Sequence, residues 1–239
     1  MSIAIATTVL HPGPTLPAWL DYHLRWVQHV VIFMDDPDER PALGRVCENK
    51  PVTLLNGSRI EPNMTLESRL IRRQMANMRH AIVYLMERGY TWLLHIDLDE
   101  LLYGPLVESR AWTRDPRFQL TSRPQIRSET ASYGNGKSAV RLGPVVEPRG
   151  AHWFSGHAGR TLTLSGEEAM ILHYLYPSYD SWLRKFNHCG RFSDYWFGDR
   201  RAPKIMDFML HSRDVVQMAH KTNDWVKVRA FFSGRVLDP

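Results

Sequence analysis

Along the first hundred residues the apolar positions fall into short unbroken blocks, separated by stretches in which they recur every three or four places. IAIATTV at 3–9, HVVIFM before the acids at 35–36, PVTLL at 51–55 and TWLLHIDLD at 91–99 are runs of strand formers. Between them, AWLDYHLRWV sets Leu20, Leu24 and Val27 at core spacing behind Pro17. The segment 64–88 places Leu66, Leu70, Ile71, Met75, Met78, Ile82, Leu85 and Met86 at helical intervals, and Gly89 supplies the stop. Strands alternating with helices predict β-α-β units and a mainly parallel central sheet, an α/β fold. Unbroken apolar runs, in place of strict alternation, predict strands covered on both faces. The second half is less regular: SAVRL, TLTLS and AMILHYLY read as strands, and 178–189 and 215–232 read as helices. Without a repeat or a low-complexity linker, the pattern predicts one domain over residues 1–239.

Composition narrows the picture modestly. An apolar fraction of 44% and a charged fraction of 23% over 239 residues are those of an ordinary globular protein. The net charge of +5 suits an anionic small ligand or an acidic surface. It is too small to argue for nucleic acid, and no basic run, RNP-like motif or zinc-finger spacing supports that partner. Two cysteines 142 positions apart, Cys47 and Cys189, are expected as isolated thiols of a reducing compartment. MSIAIATTVL lacks a basic leader, and no stretch reaches the length of a membrane span, so a cytoplasmic protein without a transmembrane segment is expected.

The stretch WLLHIDLDELLY at 92–103 carries the chemistry. A segment built for burial ends in Asp97, Asp99 and Glu100. In an open α/β sheet, ligands gather beyond the carboxyl ends of the strands, so this tip and Asp35-Asp36 should share an edge. Read as extended chain, Asp97 and Asp99 would project to one side. Converging carboxylates repel unless protonated or bridged by a cation, and Mg²⁺ or Mn²⁺ commonly binds through one or two carboxylates plus substrate phosphates. The plainer alternative is a solvated loop acid or a turn cap.

In order, AWLDYHLRWVQHVVIFMDD, RRQMANMRHAIVYLMERGYTWLLHIDLDELL, GKSAVRL and ILHYLYPSYDSWLRKF resemble bacterial glycosyltransferases of the family 2 and family 92 type. The resemblance covers about residues 17–186. It departs at Leu10-His11-Pro12, where such relatives carry Arg-Asn-Glu, at Ala18, where Glu is usual, and at Leu101, where an aromatic is usual. It implies the GT-A (Rossmann-like) fold, with a nucleotide-sugar half over 1–103 and an acceptor half with C-terminal helices over 104–239. It also implies a metal-bound nucleotide-diphospho-sugar, with Asp99 on the metal and Asp97 on the metal or the donor ribose. Asp35 stands where the base is recognised, which suits a UDP-sugar, although a turn acid before Pro37 explains it equally. Arg73, one turn from Asn77 and beside Gln74, is the donor-contact candidate of its helix. Lys137 matches a Lys-Ser-x-Val-Arg element and would screen the departing diphosphate. His173 matches a late His-Tyr element and would complete the metal shell, with His152 the competing candidate and His157 a weaker one. Glu100 is expected to brace the turn or a basic neighbour.

The activity implied is metal-dependent transfer of a sugar to a glycan, glycolipid or protein hydroxyl, with inversion, using Mn²⁺ or Mg²⁺. Glu167, Glu168, Asp180 and His157 are unranked candidates for the base. The alternatives are a metal-dependent nucleotidyltransferase and an inactive module that retains the scaffold. The C-terminal basic and aromatic residues, among them Lys227, Arg229, Trp225 and Phe232, are expected to pack with a basic outer face, and a peripheral membrane contact stays open.

Overall fold

The computed structural model describes residues 2–58, 66–109, 117, 121–128, 136–174 and 178–235, with 66–69, 121–128 and 235 described by backbone alone. The chain divides into two compact units, Met1–Ile60 with Ile71–His173, and Glu61–Leu70 with Tyr174–Pro239. The first contains β1 (Ile3–Val9), α1 (Thr15–His23), β2 (His29–Met34), α2 (Arg40–Cys47) and β3 (Val52–Asn56). After α3 (Leu66–Glu87) come β4 (Trp92–His95), β5 (Glu100–Tyr103), α4 (Pro105–Glu108), β6 (Thr121–Ser128) and β7 (Lys137–Arg141). The unit closes with β8 (Glu147–Arg149), β9 (Trp153–Ser155), β10 (Arg160–Thr163) and β11 (Met170–His173).

Nine of these strands form one sheet in the order β3-β2-β1-β4-β7-β6-β11-β5, with β10 beside β6. β3, β2, β1 and β4 run parallel, and β7 is antiparallel to β4. The expected α/β architecture with a mainly parallel central sheet is the one the chain forms. Alternate residues serve opposite faces. Ile3, Ile5, Val30, Ile32 and Leu94 pack with Leu16, Trp19 and Leu20 of α1 and Leu43 of α2. Ala4, Ala6, Val31, Phe33 and Leu93 pack with Met78, Ala81, Ile82 and Leu85 of α3. This double covering is why the strands read as unbroken apolar runs. Each large side chain so buried contributes roughly 1.5–3 kcal/mol. Gly89 ends α3 at φ +75 with open space where a Cβ would stand, so conformation and not packing asks for glycine there.

Two expectations are corrected. TWLLHIDLD is not one strand: β4 ends at His95, and residues 97–100 form a turn in which Glu100 N donates to Asp97 O over 3.2 Å. Apolar periodicity cannot see this turn, because Ile96 and Leu98 continue the strand-like alternation through it. The 215–232 segment is not one helix either. The second unit contains α5 (Tyr179–Cys189), α6 (Asp207–Thr222) and α7 (Trp225–Arg235), and Asn223 breaks the last two apart at φ 58. Asn adopts the left-handed conformation at small cost and so ends a helix without a glycine. Residues 64, 65, 175 and 176, which fell in expected elements, lie outside the described residues. In this unit Trp182, Phe186, Val216, Val228 and Phe232 form the core, while Lys227 and Arg229 stay exposed. Among the described residues no helix is long and apolar enough to cross a membrane.

His23, fully buried at the end of α1, ties that helix to β5. Its Nδ1 lies 2.9 Å from Trp19 O and its Nε2 accepts from Leu102 N at 3.4 Å, an arrangement that fits one neutral tautomer. Burial, helped by the charge of Arg25 and only partly offset by the Trp19 carbonyl, lowers its pKa to about 3. The unfolded chain therefore takes up this proton near pH 6.5 and the folded chain does not. Stability falls as pH drops through that window, by up to about 1.4 kcal/mol per unit from this group. Urea unfolding between pH 7 and pH 4 should show a shallower acid slope for His23→Leu than for wild type. At pH 7 that variant should be roughly 1–3 kcal/mol less stable, because the Leu102 N–H loses its acceptor. Equal slopes would refute the assignment.

Candidate functional site

Because β1, β2, β3 and β4 are parallel, their carboxyl ends share one edge. From β1 the chain proceeds to β2 and β3 on one side, then crosses to β4 on the other. The edge between β1 and β4 is therefore the topological switch point, where open α/β sheets form their crevice. The turn bearing Asp97 and Asp99 follows β4 directly.

The turn is held from beneath. Lys137, at the start of β7, is fully buried, and its Nζ lies 2.6 Å from Asp97 Oδ2 and 3.3 Å from Glu100 Oε2. Glu100 Oε2 also accepts from Asp97 N at 2.7 Å, and Trp19 Nε1 donates to Glu100 O at 2.8 Å. Glu100 thus braces both the turn and a basic neighbour. Burial would raise the pKa of Asp97, but the Lys137 ammonium outweighs it and holds this carboxyl well below the usual range. Glu100 goes the other way: burial, with the charges of Asp97 and Asp99, raises its pKa although Lys137 opposes.

A second side chain reaches Asp97 from α3. Gln74 Nε2 donates to Asp97 Oδ1 at 3.0 Å. On the same helical face Arg73 Nη1 pairs with Asp35 Oδ2 at 2.7 Å, and Asn77 Nδ2 donates to Thr8 Oγ1 at 3.0 Å. Asn77 Oδ1 accepts from Ser58 N at 2.8 Å.

The β5–β11 register sets His173 opposite Glu100, which brings His173 Nε2 to 3.5 Å from Asp99 Oδ2. Two further imidazoles lie close. His95 Nδ1 is 3.1 Å from Ala151 O, while its Nε2 stands 3.9 Å from Asp97 Oδ1. Burial and then Lys137 lower the pKa of His95 to about 3, so it is neutral. His152 Nδ1 is 2.9 Å from Gly136 O, and burial with Lys137 lowers its pKa to about 4.

Of the residues singled out from sequence, Asp97, Asp99, Lys137 and His173 come together around one turn, and Asp35 and Arg73 pair at the end of β2. One expectation changes. Asp97 and Asp99 lie on a turn and not on extended chain. Lys137 engages Oδ2 of Asp97 and Gln74 its Oδ1, which fixes the orientation of this carboxylate. Lys137 is fully buried, its ammonium paired with Asp97 and Glu100. Asp99 and His173 do have suitable spacing: neighbouring ligands of an octahedral Mg²⁺-type cation, each roughly 2.1 Å from it, stand about 3 Å apart. Among the described residues no group of three or more His, Cys, Asp or Glu is arranged to hold a metal. Glu168, one of the candidate bases, is engaged by Ser165 N at 3.0 Å and by Arg117. Sequence reading carried Arg73 forward and left Gln74 behind, and its spacing from Asn77 on one helical face was the available signal.

No protein-family model matches the chain. Two Arabidopsis thaliana proteins named glycosyltransferase-like are each 23% identical to it. The match covers 51% of this chain and 33% of one relative, and 74% of this chain and 54% of the other. The chain thus spans a third to about half of the curated relatives it matches. Among solved structures, a 4-diphosphocytidyl-2C-methyl-D-erythritol synthase from Anaerococcus prevotii aligns over 68% of this chain and 88% of its own, at TM-score 0.43 and 9% identity. A glycosyltransferase involved in the glycosylation of the major capsid of PBCV-1 aligns over 59% of this chain and 60% of its own, at TM-score 0.32 and 14% identity. The sequence resemblance therefore reaches proteins named glycosyltransferase-like, the coarser part of what the motif order implied.

Removing the buried ammonium gives a direct check on the site's architecture. Lys137→Met should destabilise the protein by roughly 3–5 kcal/mol, because the buried Glu100 carboxyl and the partly exposed Asp97 carboxyl lose their counter-charge. Urea unfolding at pH 7 measures it, and a cost below about 1 kcal/mol, the range of surface pairs, would show that the cluster is not buried as described.

Proposed function

We propose that the protein is a metal-dependent glycosyltransferase of the GT-A kind. It would move a sugar from a nucleoside-diphosphate donor, a UDP-sugar by the position of Asp35, to an acceptor hydroxyl with inversion. The observation that carries the reading is the engagement of the cations at this edge. Lys137 is taken by Asp97 and Glu100, and Arg73 by Asp35, so among the described residues of this edge the acids outnumber the basic groups. An anionic diphosphate would be repelled there unless a cation came with it. Asp99 and His173 would hold that cation, with substrate phosphates and water completing the shell.

When bound, Mn²⁺ or Mg²⁺ would supply charge stabilisation to the departing diphosphate. The chain's own residues do the rest. Asp97, fixed by Lys137 and Gln74, presents a carboxylate that accepts a donor hydroxyl, and Asp35 accepts from the base. Glu100 and Trp19 keep the turn from relaxing, so the acids are placed before the donor arrives. The sequence relatives named glycosyltransferase-like support the class of reaction.

Calorimetric titration of UDP tests the proposal. Wild type should bind UDP only with Mn²⁺ present, and Asp99→Ala should weaken that binding more than about tenfold. Binding that ignores both the metal and the substitution would refute it. Turnover of a nucleoside triphosphate with release of pyrophosphate would favour a nucleotidyltransferase instead.

A further inference from the structure

Gln74 is 8% exposed, and its amide nitrogen meets the acid on which the donor reading rests. A buried amide requires partners, but nothing obliges this one to choose a carboxylate at the ligand edge. The geometry of Asp97 shows what the choice accomplishes. Lys137 holds Oδ2 at 2.6 Å and Gln74 holds Oδ1 at 3.0 Å. With the ammonium alone, the carboxylate could still turn about its last torsion, which is intrinsically broad. Donors on both oxygens fix its plane.

A purely structural role, anchoring α3 to the sheet, is the competing explanation. That anchoring is already supplied by Met78, Ala81, Ile82 and Leu85, all at most 4% exposed. The polar positions sit on the part of α3 nearest the strand ends. Arg73, Gln74 and Asn77 reach Asp35 after β2, Asp97 after β4, and Thr8 in β1 together with Ser58 after β3. One helical face thus touches the ends of all four parallel strands.

We propose that Gln74 is a positioning residue for nucleotide binding: it clamps the Asp97 carboxylate in the orientation that receives a donor hydroxyl. The proposal rests on the donor site described above and deepens it. Gln74 acts through Asp97, so its loss should weaken nucleotide binding only while Asp97 is present.

The experiment is a calorimetric cycle with Mn²⁺ and a panel of UDP, CDP, GDP and ADP on wild type, Gln74→Leu, Asp97→Ala and the double variant. Gln74→Leu should weaken the tightest-binding diphosphate about tenfold, as loss of a supporting contact commonly does. In the Asp97→Ala background the same change should cost less than about twofold, since nothing remains to be positioned. Equal affinity of Gln74→Leu and wild type would overturn the proposal, and so would the same loss in both backgrounds, which marks a structural role. If wild type binds no diphosphate of the panel, the donor site itself is refuted and this proposal with it. Gln74→Met carries the same expectations if Gln74→Leu does not fold.

Discussion

A single ammonium with no access to solvent governs what the acidic turn can be. Lys137 lies beneath two carboxyls, at 2.6 Å from Asp97 and 3.3 Å from Glu100. Bringing such charges out of water costs several kcal/mol per ion, and only close pairing with further hydrogen bonds offsets it. The further bonds are present: the Asp97 N–H on Glu100, and the Gln74 amide on Asp97. Burial raises the pKa of Glu100, with Asp97 and Asp99 adding to it, while for Asp97 the same ammonium outweighs burial and lowers it, so the two move apart. Everything above the turn inherits this arrangement, because its positive charge faces inward with Glu100 while Asp97 and Asp99 stay partly exposed.

The topology explains why that matters at this place. β1 and β4 are neighbours that belong to opposite directions of chain travel, so the loops after them diverge and leave a crevice. Asp97 and Asp99 enter it from β4, and the β5–β11 pairing delivers His173 to the same spot from the far end of the sheet. No local sequence rule could bring a residue at 173 to one at 99. It takes an antiparallel strand pair whose register happens to set His173 against Glu100.

Much of this was legible in the residues, and what was not has physical causes. β1, β2 and β3 appear where unbroken apolar runs placed them, because strands covered on both faces carry no polar alternation to misread. α3 and its stop were legible through helical spacing and Gly89. The short strands β8 and β9 were not, since three residues hold too little pattern to register. The Asp97–Glu100 turn was hidden because Ile96 and Leu98 face the core from a turn as readily as from a strand. The gathering of Asp97, Asp99, Lys137 and His173 followed from motif order, but the direction of Lys137 did not. A lysine in a strand reads as a surface cation, and only the buried position of its partners turns it inward.

The two aspartates, two residues apart, end in different surroundings. Asp97 is clamped by an ammonium and an amide, its carboxyl held ionised and its orientation fixed. Asp99 stands beside an imidazole, His173 Nε2 lying 3.5 Å from its Oδ2. Carboxylates whose environments differ in this way divide the labour of a site: the fixed one can select a neutral hydroxyl, while the other can share a cation. Replacing a buried ion cluster by well-packed apolar side chains is often neutral or stabilising, so a fold alone gains little from Lys137, Asp97 and Glu100. The cluster costs stability and, in return, holds an acidic turn rigid at the crevice of an α/β sheet, which is what binding and charge stabilisation there demand.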